Sequence, residues 1–160
     1  MARKSRIWLW LAWAGCLSAL AAERTLDLTT VKPNELPKGW RSSLAGQGKP
    51  GDWQVLSDEV PATFAPLTAQ GPSTARVPVL AQVSPDPTDE RFPLLILDDE
   101  VYGDFRLAVK LKTVSGVVEQ MAGVAFRLQD ERNFYVARLS SRGNNFRFYR
   151  VHDGRRDPPL

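Results

Sequence analysis

Gly123-Val124-Ala125-Phe126-Arg127-Leu128-Gln129-Asp130-Glu131-Arg132-Asn133-Phe134-Tyr135-Val136-Ala137-Arg138-Leu139 is two alternating runs joined by a polar loop, and a third run, Asn145 to Val151, follows at once. Period-two alternation, aromatic and β-branched residues within the runs, and Asp/Asn/Gly clusters between them specify strands joined by hairpins. The stretch therefore predicts the middle of an antiparallel sheet. It sets a fold class, all-β, and names no reaction.

Working towards the N-terminus, Asp104 to Thr113 has the cleanest alternation in the chain. Phe105, Leu107, Val109 and Leu111 fall on one side, and Arg106, Ala108, Lys110 and Lys112 on the other. That pattern predicts a strand with one buried and one wet face. Shorter strands are expected at Gly51 to Leu56, Val77 to Val83 and Phe92 to Leu97. Between them, Pro61 to Pro72 reads as a surface loop, and Ser84 to Asp89 as a turn whose two prolines forbid a helix. Residues 23 to 50 carry Pro33, Pro37 and Pro50 with little periodicity and read as an extended lead-in. Two fates are open for Trp53 at the start of its strand, packing into the core or a platform for a sugar ring.

The first 22 residues differ in kind. Arg3, Lys4 and Arg6 precede an apolar run from Ile7, and Ala19-Leu20-Ala21 supplies small residues at a cleavage position. This predicts a secretory signal helix and an extracytoplasmic protein, in the bacterial periplasm or secreted. The run is short for a retained span, so no stable membrane span is expected after cleavage. Trp13-Ala14-Gly15-Cys16 partly matches a lipoprotein signal, which would instead anchor the protein through Cys16.

Three of the 21 Lys and Arg residues lie in that segment and none of the 18 Asp and Glu residues do, so the remainder is balanced at 18 against 18. The basic character of the whole chain belongs to the leader. It gives no warrant for a nucleic-acid partner. Past the leader there is no cysteine and His152 is the one histidine, which removes disulfides, thiolate chemistry and histidine-cluster metal sites. Asp86, Asp89, Asp98, Asp99 and Glu100 leave an all-oxygen calcium site conceivable, but their spacing fits turn charges better. No cofactor is expected.

A candidate site comes from the expected register of the hairpins. With Leu128 opposite Phe134, Arg127 meets Tyr135; with Leu139 opposite Asn145, Tyr135 meets Tyr149. Arg127, Tyr135, Arg147 and Tyr149 then share one face over Ala125 and Ala137. Rings that cover sugar C–H patches and guanidinium forks that donate to hydroxyls or carboxylates would make a carbohydrate-binding face. Ordinary half-exposed cross-strand pairs would look the same, and a one-residue slip would dissolve the face.

The segments Ala122 to Arg127, Asn133 to Arg138 and Asn145 to Arg156, with Asp130, Trp53, Leu80-Ala81-Gln82 and Arg91-Phe92-Pro93, resemble the concanavalin A-like jelly-roll domains named 3-keto-disaccharide hydrolase domains. The resemblance runs from about Gly39 to Leu160. It implies an antiparallel two-sheet jelly-roll sandwich over residues 51 to 160, association with a glycan or small sugar, and hydrolysis of glycosidic bonds or binding alone. Members of that family continue for several more strands, so residues 51 to 160 are expected to form an incomplete jelly roll, finished by missing C-terminal strands or a partner domain. Asp153-Gly154 is a tight-turn signal followed by too few residues for a full strand. Laminarinase-like relatives of the fold carry Glu-x-Asp-x-x-Glu on one strand, and no such run occurs here, so catalytic residues are not assigned. A structural or protein-interaction β-sandwich is the alternative from a different class.

Overall fold

The computed structural model describes residues 23–116 and 118–159. The leader, residues 1–22, and the question of anchoring through Cys16 lie outside the described residues. The described chain is all-β: β1 (Trp40–Gly46), β2 (Trp53–Pro61), β3 (Thr74–Gln82), β4 (Arg91–Leu97), β5 (Met121–Asp130), β6 (Asn133–Ser140), β7 (Asn145–His152) and β8 (Arg155–Arg156). Every pairing is antiparallel. β1 pairs with β4, β2 with β3, and β5 to β8 form a four-stranded meander in chain order. No helix among the described residues is long and apolar enough to cross a membrane.

Two expectations are corrected. Trp40–Gly46, placed in the lead-in, is a strand, laid along β4 with Leu44 opposite Pro93 and Ala45 opposite Phe92. Its end needs glycine. Gly46 has φ +89°, and a Cβ there would fall 1.9 Å from the Glu90 carbonyl oxygen. The second correction concerns Asp104 to Thr113, which joins no ladder despite its alternation. Phe105, Leu107, Val109 and Leu111 remain 40–58% exposed. The segment is held elsewhere: Lys112 Nζ pairs with Asp58 at 2.7 Å, and the Thr113 and Ser141 hydroxyls are 2.8 Å apart.

One face of the β5–β8 sheet packs on one face of the β1–β4 pair. Alternation puts Ala125, Phe134, Val136 and Val151 on the same side, and Leu128 joins them. From the other layer come Ala45, Phe92 and Leu94. Burial of these apolar side chains is what holds the layers together. Polar clamps close both ends of the contact. In the β5–β6 turn, Glu131 Oε1 accepts from Arg41 Nη1 and from Ser43 Oγ, each at 2.7 Å. At the far end Arg156 Nη2 reaches both carboxylate oxygens of Glu90 at 2.7 Å, with its guanidinium 4.9 Å from the Phe92 ring centroid.

The opposite side of the β1–β4 pair meets the start of β2. Ser42 Oγ donates to the Gly51 carbonyl at 2.5 Å, and Gly51 is pressed between the Trp53 ring and Pro93. Trp53 is thus partly buried, with its indole Nε1 shielded from solvent and without a hydrogen-bond partner among the described residues. The acidic turns are engaged by protein donors. Asp86 accepts from Thr88 and from the Lys49 amide, Asp98 pairs with Arg41, and Asp99 and Glu100 pair with Arg24. As expected from the sequence, Asp153 and Gly154 turn the chain through φ +49° and +75°, and two residues of β8 pair back on β7.

Candidate functional site

The four residues predicted to share a face do not. Ser140 pairs with Asn145, so the β6–β7 ladder is shifted by one residue from the expected register. Tyr135 stands opposite Arg150 and Phe126, whereas Tyr149 stands opposite Val136. Because side chains alternate, Tyr135 and Tyr149 project from opposite faces of the sheet. The turn chemistry is the cause. A four-residue turn, Ser141 to Asn144, replaces the expected five, locked by the Gly143 amide on Ser140 Oγ at 2.8 Å and by Asn144 at φ +45°. At the other hairpin the chain reverses tightly, with Asp130 opposite Asn133 and its Oδ1 accepting from the Arg132 amide at 2.7 Å. The mismatch is absorbed as a bulge, in which Arg127, Leu128 and Gln129 of β5 face Phe134 of β6, and Arg127 takes φ +50°.

The predicted set is split into two pairs. On the outer face lie Arg127 and Tyr135. The rings of Phe126, Tyr135 and Phe148 form a triangle there, with centroids 5.8–6.0 Å apart and planes within 27° of parallel. Beside it, at the hairpin end, a concavity of about 290 Å³ is lined by Arg127, Gln129, Asn133, Tyr135, Arg150 and His152, with Phe134 and Val151 beneath. Arg150 is committed to Asp157, Nε to Oδ2 at 2.6 Å, and Asn133 Nδ2 to Asp130. Arg127 makes no bond within the described residues and is exposed. Among the described residues no carboxylate lines the concavity. A wider groove of about 630 Å³ along Gly48, Lys49 and Ser84 to Thr88 offers neither an aromatic ring nor a free carboxylate, since Asp86 is held by its own turn.

Arg147 and Tyr149 lie on the inner face, where the core ends, and sequence reasoning missed their third member. Arg138, directly across from Arg147, donates from Nη2 to the Tyr149 hydroxyl at 3.2 Å, while Arg147 donates from Nη1 to the same oxygen at 3.3 Å. Arg138 also lies 5.6 Å from the Tyr149 ring centroid and donates to Asn145 Oδ1 at 2.7 Å. Burial opposes ionisation of Tyr149, but the bonds and charges of Arg147 and Arg138 outweigh it and hold the phenol below its ordinary value. The sequence signal for Arg138 was its place one strand over from Arg147, readable only in the correct register.

No family model matches the chain, and neither the curated proteins nor the solved structures provide a significant match.

Proposed function

We propose that this chain is a secreted carbohydrate-binding β-sandwich of the concanavalin A-like jelly-roll kind, akin to 3-keto-disaccharide hydrolase domains, which holds a sugar residue against Tyr135. The observation that carries this reading is the concavity beside the ring triangle, where Tyr135, braced by Phe126 and Phe148, meets the free guanidinium of Arg127 and the polar groups of Gln129 and His152. Aromatic faces cover the C–H patches of a pyranose and the surrounding donors select its hydroxyls. A volume of about 290 Å³ lies near the lower end of ligand pockets, a size suited to one sugar unit.

Binding is favoured over hydrolysis on chemical grounds. Glycoside cleavage needs two carboxyl groups flanking the scissile bond, and the lining has none. The basic and apolar leader supports delivery across a membrane. The test is titration of neutral mono- and disaccharides against the full chain, followed by tyrosine and tryptophan fluorescence. Tyr135→Ala is expected to weaken binding about two- to tenfold, since a ring–sugar contact resembles other aromatic pairings in energy, while lowering the unfolding midpoint only modestly through the lost contacts with Phe126 and Phe148. Equal binding by wild type and variant would reject this site.

The structural or interaction reading has one specific observation in its favour, the exposed apolar row Phe105, Leu107, Val109 and Leu111. An extended segment with one apolar edge is what strand addition by a partner requires.

A further inference from the structure

On the inner face, Arg138 and Arg147 occupy directly opposed positions of β6 and β7. Like charges at such positions repel, and a sheet stabilised by cross-strand pairing would place a carboxylate at one of them. Neither guanidinium is paired with a carboxylate among the described residues. They converge instead on one neutral atom, the Tyr149 hydroxyl oxygen, at 3.2 and 3.3 Å. Tyr149 is 6% exposed, so its position is fixed by packing, and Arg138 is further held by Asn145. Gly123, across from Arg138 on β5, brings no side chain that could cover it.

Two other charged groups lie near, and neither forms an ion pair with Arg138 or Arg147 among the described residues. Arg156, 6.0 Å from the Tyr149 ring, is neutralised by Glu90 through two bonds, and Glu119 lies 3.5 Å from Ser140 Oγ. Each guanidinium carries five N–H donors. Arg138 uses two groups, on Asn145 and Tyr149, and Arg147 uses one, so several donors remain unspent around a common point. Two guanidinium forks held on adjacent strands match an oxyanion, whose oxygens accept charge-assisted bonds from both.

We propose that Arg138, Arg147 and Tyr149 form an oxyanion-binding subsite, taking a carboxylate or sulfate group, on the face opposite the Tyr135 concavity. The anion cancels the repulsion between the two arginines, and the Tyr149 hydroxyl turns from shared acceptor to donor towards it. This subsite does not depend on the neutral-sugar site, because the two lie on opposite sides of the sheet.

The experiment is thermal unfolding of the full chain at constant ionic strength, with chloride replaced stepwise by sulfate, and separately with glucuronate or glucose added. Wild type is expected to show a saturable rise in Tm of at least about 3 °C with sulfate, glucuronate or both, and none with glucose. Sulfate alone or glucuronate alone identifies the preferred oxyanion geometry and supports the subsite. Arg147→Gln, at the exposed member of the pair, is expected to raise the half-saturating concentration at least about tenfold. Tyr149→Phe, which keeps the ring in its packing, should also weaken it. A non-saturable rise of equal size in wild type and Arg147→Gln would be the general excluded-solute effect of sulfate and would overturn the proposal. So would the absence of any response to both anions.

Discussion

Glu131 illustrates how a loop residue can do more than shape its loop. Its position in the β5–β6 turn explains an acidic residue there without further role, yet its carboxylate ties that turn to β1. Bonds from Arg41, then from Ser43, then from its own backbone amide, push its pKa down from 4.5 to about 2. A depressed carboxylate stabilises the fold fully above its unfolded pKa, and that contribution is lost as pH falls through the folded value. Glu131→Gln is thus expected to cost about 1 kcal/mol at pH 7, a modest figure because the group is a third exposed. Urea unfolding at pH 6, 4 and 2.5 checks it: the gap between wild type and variant should shrink over the interval from about 4.5 to about 2. A gap that stays constant would mean that Glu131 is as free in the folded chain as in the unfolded one. The sequence showed Arg41, Ser43 and Glu131 individually, but their meeting depends on a layer contact between residues some 90 positions apart, for which no local pattern exists.

At the scale of elements, alternation located most strands and misjudged one. β5, β6 and β7 were legible because each run has its own period of two, bounded by turn residues. Their registers were not, because register is fixed by how tightly each turn closes, and a bulge at Arg127 to Gln129 repaired a mismatch that a regular ladder would have carried through. The candidate site inherited that error, since Tyr135 and Tyr149 separate on a single-residue shift. Asp104 to Thr113 teaches the complementary point: alternation encodes two faces and says nothing of a partner strand. Leu107→Lys and Val109→Lys, at 58% and 53% exposure, are therefore expected to change stability by no more than about 0.5 kcal/mol, and the amides of this segment to exchange without protection. Hydrogen exchange followed by mass spectrometry, with urea unfolding of both variants, measures this. A loss of several kcal/mol, or slow exchange across the segment, would place it in a ladder, with β5 as the edge strand next in the chain.

For the molecule as a whole, stability rests on a thin contact between two antiparallel layers. Among the described residues no large side chain is buried to below 2% exposure, and the centre of the contact is Ala45, Phe134 and Val151, ringed by Phe92, Leu94, Ala125, Leu128 and Val136. Phe134 is the largest member of that centre, and it also underlies the Tyr135 concavity, so it couples the fold to the site. Truncating a buried phenylalanine costs about 3–5 kcal/mol, which is comparable with the whole margin of a small domain, about 5–15 kcal/mol. Phe134→Ala should therefore lower the urea midpoint steeply and abolish both the sugar and the oxyanion responses. Tyr135→Ala, one residue along and on the opposite face, should weaken the sugar response, leave the oxyanion response in place and lower the midpoint far less than Phe134→Ala. Comparing the two variants by urea unfolding separates a residue that holds the layers from one that faces a ligand, because adjacent positions of a strand belong to different sides of the sheet. Should Phe134→Ala keep the wild-type midpoint, the layers would be held by the clamps at Glu131 and Glu90, and acid rather than truncation would part them.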